Sequence, residues 1–408
     1  MKILFISEKF PYPLDTGGNI RTFNLLRGLS KEHEVTLLAT THGEVQRTHI
    51  EEVNKLCKIK LVNVGATNWL HDIIKFGKSI ISRTPFVLSR HFYQAVRKEI
   101  VFAFKENTVN GIRSHQSSLA FDVVHFNHLD ATIYADAVPQ KIIKVLDEHN
   151  IVVNQINTII ETEHKIVRKL LLKYEYWKLK KYEEQICNQM NLCLVCSEKD
   201  KSALRQLGVT RKITVIPNGV DLNYFSVSSF ASSNGHDLIF VGTLDYDPCE
   251  KGVWYFCDKI LPLIKHQIPD VRFVAIGRNP SKRLQVIATA NSGITLTGRV
   301  EDIRPFIYRA RVFVVPLLSG SGTRLKILEA MAMGIPVVTT SIGVEGIEAV
   351  SGEHLWIADS PTEFTKAIVR LLCNLNEAEE IRIKARLLVE SQYSWLTICH
   401  KLLQEYKL

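Results

Sequence analysis

VFVVPLLSGSGTRLKILEAMAMGIPVVTT, residues 312–340, reads as strand, glycine loop, helix and strand. Residues 312–316 are an apolar, β-branched run of the length of a buried parallel strand, and Ser319, Gly320, Ser321 and Gly322 let the backbone turn tightly after it. A helix is expected from Thr323, whose hydroxyl can cap free amides, with Leu325, Leu328 and Ala332 recurring on a core face. Gly334 stops it, Pro336 confirms the stop, and residues 337–340 supply the next buried strand.

A glycine loop feeding a helix N-terminus aims several N–H groups and the positive end of the helix dipole at one spot, which suits an anion such as a diphosphate. Arg324 and Lys326 add positive charge there. Glu329 follows Lys326 at i+3, where a carboxylate can accept two hydrogen bonds from the vicinal diol of a ribose. The plainer alternative is a surface helix on which Lys326 and Glu329 merely pair, worth ~0.2–0.5 kcal/mol. No G-x-x-x-x-G-K-[ST] motif is present, which argues against a P-loop NTPase. Gly320-x-Gly322 begins like a dinucleotide fingerprint, but Leu325 replaces the third small residue and the next strand ends in Thr340 and Ser341 rather than an acid. A nicotinamide dehydrogenase therefore fits poorly.

A chain of 408 residues exceeds one ordinary core and favours two or three domains. Its net charge of +9 favours acidic partners: nucleotide phosphates, an anionic membrane surface or nucleic acid. No run approaches the ~18–20 apolar residues of a membrane span, and MKILFISEKF enters a strand without a signal-peptide pattern, so a cytosolic chain is expected. The eight cysteines sit in apolar contexts, as reduced buried thiols do. Cys193-x-x-Cys196 has neither a second pair nor a histidine at zinc spacing and reads as structural.

In chain order, residues 2–6 form a first buried strand, Gly17-Gly18 a second glycine loop, Ile20, Phe23, Leu26 and Leu29 an amphipathic helix, and residues 35–39 the next strand. That order indicates a doubly wound parallel sheet with its ligand at the carboxyl ends of the strands. Residues 121–125 run into His125, His128 follows, and residues 143–146 lead to Asp147-Glu148-His149-Asn150; polar groups just after buried strands are where such a sheet presents its site. Each histidine alone is more often structural. Residues 69–105 and 164–181 each carry seven Lys/Arg, against two acids and one acid, with aromatic and aliphatic residues interleaved. Both are candidates for an anionic membrane surface, against the alternatives of a solvated basic face, a helix packed on the sheet, or a long exposed helix. Nucleic acid is disfavoured because no recognised binding module accompanies them. Serine-rich residues 226–237 read as a linker, after which strand and helix alternate again in a second doubly wound domain. Gly242-Thr243-Leu244, Glu250-Lys251-Gly252 and Gly298-Arg299-Val300 are its further polar turns.

The series Gly17-Gly18, IPNGVD at 216–221, FVGTL at 240–244, EKG at 250–252, LTGRVEDI at 296–303 and LEAMAMGIPVVTT at 328–340 resembles the group 1, family 4-like retaining glycosyltransferases of the GT-B fold. The loop GSGTRLKILEA is similar to the bacterial exopolysaccharide-associated branch. The resemblance implies an α/β protein of two doubly wound, Rossmann-like domains facing across a cleft. Residues 1–222 would hold the acceptor, residues 223–390 a nucleotide-sugar, and a helix within 391–408 would cross back to the first domain. It implies transfer of a hexose, with retained configuration and no metal, from a nucleoside diphosphate sugar to a hydroxyl of a lipid-linked or growing saccharide on the cytosolic membrane face. Carried over, Glu329 takes the nucleotide ribose, and Arg324 and Lys326 take the leaving diphosphate. Gly17 and Gly18 close over the phosphates, while His125 holds the sugar, with His149 second and His128 beside it on the acceptor side. Thr243, Lys251, Arg299, Gly322 and Thr323 complete the donor site. The sequence departs from the family in having Ser321 where the first signature glutamate stands and Thr243 where an arginine is common. Two other classes remain open: a nucleotide-sugar epimerase of the same fold and a non-catalytic scaffold subunit.

Overall fold

The computed structural model describes residues 1–66, 69–82, 84–105, 120–227, 235–320 and 322–407. The chain divides into two compact units, Met1–Ile216 with Cys399–Leu408, and Pro217–Ile398. The division therefore falls six residues before the expected 222/223 boundary, and the returning tail begins at 399 rather than 391. Of the expected linker, residues 228–234 lie outside the described residues.

The first unit is built on seven parallel strands: β1 (Lys2–Ser7), β2 (Glu34–Thr41), β3 (Lys58–Asn63), β4 (Val123–Asn127), β5 (Ile143–Glu148), β6 (Leu192–Val195) and β7 (Lys212–Val215). Their order is β3-β2-β1-β4-β5-β6-β7. Ile3 pairs with Val35 on one side and Val123 on the other, so the order reverses between β1 and β4. Strands such as β4, with every residue buried, are covered on both faces, as in a parallel sheet with helices on both sides. The core gathers Leu4, Ile6, Val124, Phe126, Leu146 and Val195.

The second unit carries six parallel strands: β8 (Asp237–Val241), β9 (Arg272–Ile276), β10 (Ile294–Gly298), β11 (Val312–Val315), β12 (Val337–Thr339) and β13 (Trp356–Ile357). Their order, β10-β9-β8-β11-β12-β13, repeats that of the first sheet, with the reversal between β8 and β11. Phe240, Phe256, Phe273, Phe313 and Phe364 fill its core, Phe256 and Phe273 with ring centroids 4.6 Å apart. Each such side chain, fully buried, contributes about 1.5–3 kcal/mol.

The deciding stretch folds as strand, loop, helix and strand, with one shift. The helix runs Leu325–Ala332 and starts two residues later than expected, with Arg324 at the N-cap and no side-chain cap. Gly320 and Gly322 are both left-handed (φ 124° and 80°), and they carry the chain past Thr323 before the helix can begin. The stop is as expected. Gly334 is left-handed at φ 73°, its N–H donates to Met331 O, and Ile335 N–H donates to Ala330 O, the paired bonds of a Schellman motif. Gly17 and Gly18 likewise correct the sequence reading. They are the first turn of the helix Gly17–Leu29, whose N-cap hydroxyl, on Thr16, accepts from Asn19 N–H at 3.2 Å. Among the described residues no helix is long and apolar enough to cross a membrane.

Candidate active site

In the second unit the carboxyl ends of β8 and β11 meet the glycine loop. Gly242 N–H donates to Ile276 O at 2.9 Å, and a Cβ at Gly277 would overlap Gly242 O, so two backbones touch where only glycine fits. A Cβ on Gly242 would itself strike the ammonium of Lys326. That ammonium lies 4.4 Å from the Phe240 ring centroid and 3.6 Å from Cys249 Sγ. Burial lowers its pKa, against the smaller raising effect of Cys249. Glu329, one turn on and half-buried, is pushed up to about 7 by burial, with Lys326 pulling the other way. The plain surface pair weighed above is not what forms: neither side chain is exposed, and no ion pair joins them among the described residues.

The other donor-side residues take separate positions. Arg324 is only 9% exposed and folds back onto Gly322 O; burial lowers its pKa, against the raising effect of Glu345. Its guanidinium thus lies within its own loop. Thr323 Oγ1 is buried and has no hydrogen-bond partner among the described residues. Thr243 is exposed, its carbonyl closing a turn to Tyr246 N–H at 3.1 Å. Lys251 is exposed and paired to Asp247 at 2.9 Å, and Arg299 is exposed just after β10. Ser321 lies outside the described residues. The structure thus brings Gly242, Lys326 and Glu329 together. Lys251, on the helix Asp247–Tyr255, and Arg299, in the loop after β10, stand apart from them.

In the first unit a pocket of about 230 Å³ opens where β1 and β4 diverge, lined by Ser7, Thr16, Gly18, Asn127, His128 and His149. Beneath it Arg21 and Asp147, 1% and 0% exposed, form a two-pronged ion pair at 2.5 and 2.9 Å. Burial alone would raise the Asp147 pKa, but Arg21, with His149, holds it well below the usual carboxylate range. His149 Nε2 lies 3.1 Å from Asp147 Oδ2 and 3.0 Å from Asn127 Oδ1. Asn127 Nδ2 donates to Ser7 Oγ and Thr22 Oγ1, which fixes its oxygen toward the histidine. Two acceptors at Nε2 place the proton there and leave Nδ1 as an acceptor on the Gly18 side, 3.8 Å from where a Cβ would stand. Burial lowers the His149 pKa despite Asp147, so the ring is neutral.

His128 stands at φ 76°, a left-handed conformation uncommon outside glycine, with Nδ1 3.1 Å from Asp130 Oδ2. Burial opposes its charge, but the Asp130 carboxylate outweighs that and raises its pKa. His125 corrects the sequence reading. It is fully buried, stacked on Phe5 at 4.1 Å with Nδ1 on the Tyr406 hydroxyl, and burial lowers its pKa to about 4. Its place in the middle of β4, two residues short of the carboxyl end, keeps it from the pocket. Glu8, His91 and Asp130 each bring one ligand atom within 4.8 Å of the others, close beside this pocket. All eight cysteines are free, Cys193 and Cys196 among the buried ones.

Sequence reasoning missed Arg21, Asn127, Phe240 and Cys249. Arg21 had left a trace, a cation on the buried row of an amphipathic helix; Phe240 and Cys249 look like ordinary core residues in the sequence.

Comparison with known proteins places these features in one family. The family model described as glycosyltransferase family 4 matches residues 16–224, and that described as glycosyl transferases group 1 matches residues 235–374. An uncharacterized 44.6 kDa protein in the cps region of Klebsiella pneumoniae is 24% identical over 401 residues, covering 96% of each chain. The Escherichia coli UDP-Gal:alpha-D-GlcNAc-diphosphoundecaprenol alpha-1,3-galactosyltransferase is 24% identical over 331 residues, 75% of this chain and 81% of its own. HepE of Anabaena, solved in complex with UDP, superposes with a TM-score of 0.68 at 14% identity, covering 100% of both chains.

Proposed function

Because this chain belongs to glycosyltransferase family 4, we propose that it moves a hexose from a nucleoside diphosphate sugar to a hydroxyl of a lipid-linked or growing saccharide, with retained anomeric configuration. The coarser statement, a glycosyltransferase of polysaccharide or glycolipid synthesis, follows from the family and from the relatives named above. The observation that carries the finer reading is Lys326, a cation in the first turn of a helix at the point where the second sheet reverses its order.

Glycosyl transfer gains most from stabilising charge as it develops on the departing diphosphate. Lys326 and the amides of residues 322–325 at the helix start supply positive charge there, and Arg324 keeps that turn in shape. Glu329 takes the ribose diol. In the first unit His149 receives a hydrogen bond from a hydroxyl of the acceptor or of the donor sugar through Nδ1. The reaction runs without a resident metal and on the cytosolic side of a membrane.

Support for a uridine donor comes from the UDP named with the galactosyltransferase and with HepE. Thermal stability with UDP, GDP, ADP and CMP tests it. A bound ligand at a hundredfold excess over its Kd adds about 2.7 kcal/mol of stability, so UDP should raise Tm. A shift with none of the four would contradict the assignment of this loop as the donor site.

A further inference from the structure

Two helices of the first unit leave apolar residues in water. On the helix Trp69–Ile81, Trp69, Ile73 and Ile81 are exposed, Ile81 at 92%; on the helix Ile166–Gln189, Ile166, Leu170 and Trp177 are exposed, Ile166 at 76%. Within each helix these positions recur at four-, seven- or eight-residue intervals and so lie toward one side. Contacts between the two helices tie them to each other. The Tyr174 hydroxyl donates to Ile80 O at 2.9 Å, and the buried Lys178 ammonium donates to Ser79 O at 2.7 Å and to Glu175 Oε1 at 2.8 Å. The two stripes are therefore held side by side as one surface. Contiguous exposed apolar area of this kind marks a contact with something other than water.

The charges around it are mainly positive. Lys78, Lys165, Lys173, Lys180 and Lys181 are exposed along the two helices, Lys181 with its ammonium 4.0 Å from the Trp177 ring centroid. The nearby acids are already engaged: Asp72 with Arg90, Glu163 with Arg168 and Glu175 with Lys178. A second copy of the chain packed about a twofold axis would set lysines against lysines. An anionic surface would not. We propose that this two-helix face lies on an anionic lipid bilayer, its indoles and aliphatic side chains in the acyl boundary and its lysines among the headgroups. The inference is independent of the transfer reaction, since vesicle binding needs neither donor nor acceptor.

Flotation of the full chain with vesicles of phosphatidylcholine, with and without phosphatidylglycerol, in low and high salt, tests it. The wild type should float with phosphatidylglycerol vesicles in low salt and be released by high salt. Lys173→Glu with Lys180→Glu should weaken binding roughly tenfold or more, and Leu170→Ser with Trp177→Ser should abolish it. All four side chains are exposed, so the native circular dichroism should persist. Absence of a phosphatidylglycerol preference, or binding unchanged in either variant, would overturn the proposal. So would a wild-type dimer that the apolar variant converts to monomer.

Discussion

The ammonium of Lys326 stands 4.4 Å from the ring centroid of Phe240, and its other polar neighbour is the weakly accepting Cys249 sulfur. A cation held by a ring face and a thiol keeps most of its electrostatic demand unmet, because neither partner carries a full charge. Lys326→Ala should therefore fold normally, lose the UDP shift in Tm, and reduce turnover on the order of a hundredfold or more. Near-normal transfer by this variant would remove Lys326 from the chemistry.

Glu329 gives the donor site a pH dependence. Its carboxyl, raised to about 7 in the free protein, must be ionised to accept both hydroxyl protons of a ribose. Below that value binding must expel a proton, so UDP affinity should rise as pH increases from 6 to 8 and level off above. Titration calorimetry in buffers of different ionisation enthalpy would show the released proton, and Glu329→Gln should flatten the profile. A wild-type affinity that is constant over this range would refute the role.

His149 owes its tautomer to the Arg21–Asp147 pair beneath it. His149→Ala should lower kcat/KM for the acceptor by about 10²-fold, the scale of one positioned acid–base or hydrogen-bonding group, while the UDP shift persists. His149→Asn, which keeps a short acceptor, should recover part of that loss. If His149→Ala instead abolishes nucleotide binding with acceptor kinetics intact, the residue serves the donor.

The central strands of both sheets were legible because buried parallel strands leave apolar runs between glycine turns, whereas the edge strands β3 and β13, less buried, were not read, and the 312–340 stretch folds in the order its residues spell. Finer placement was not. Thr323 looks like a cap in sequence, yet two left-handed glycines before it displace the helix start, and backbone handedness has no signature beyond the glycines themselves. His125 and His128 differ by three positions, but one is mid-strand and the other just past the strand end. A two-residue uncertainty in where β4 stops exchanges a core side chain for a pocket one. Asp147 lay in plain view at a strand end; its partner Arg21 is 126 positions away in the chain, and only the fold joins them. The basic stretches at 69–105 and 164–181 were ambiguous for the same reason, since exposure of their apolar stripes depends on which faces the Ser79, Glu175 and Lys178 contacts bury.

Release of nucleoside diphosphate, measured with and without a polyprenyl-diphosphate-linked saccharide and in the presence of EDTA, tests transfer most directly. UDP should appear only when donor sugar and acceptor are both present, persist in EDTA, and fall to background with Lys326→Ala. UDP release or free sugar formed without acceptor would mean an epimerase-like or hydrolytic enzyme, and no release from any donor and acceptor pair would mean a protein of this fold that does not catalyse transfer.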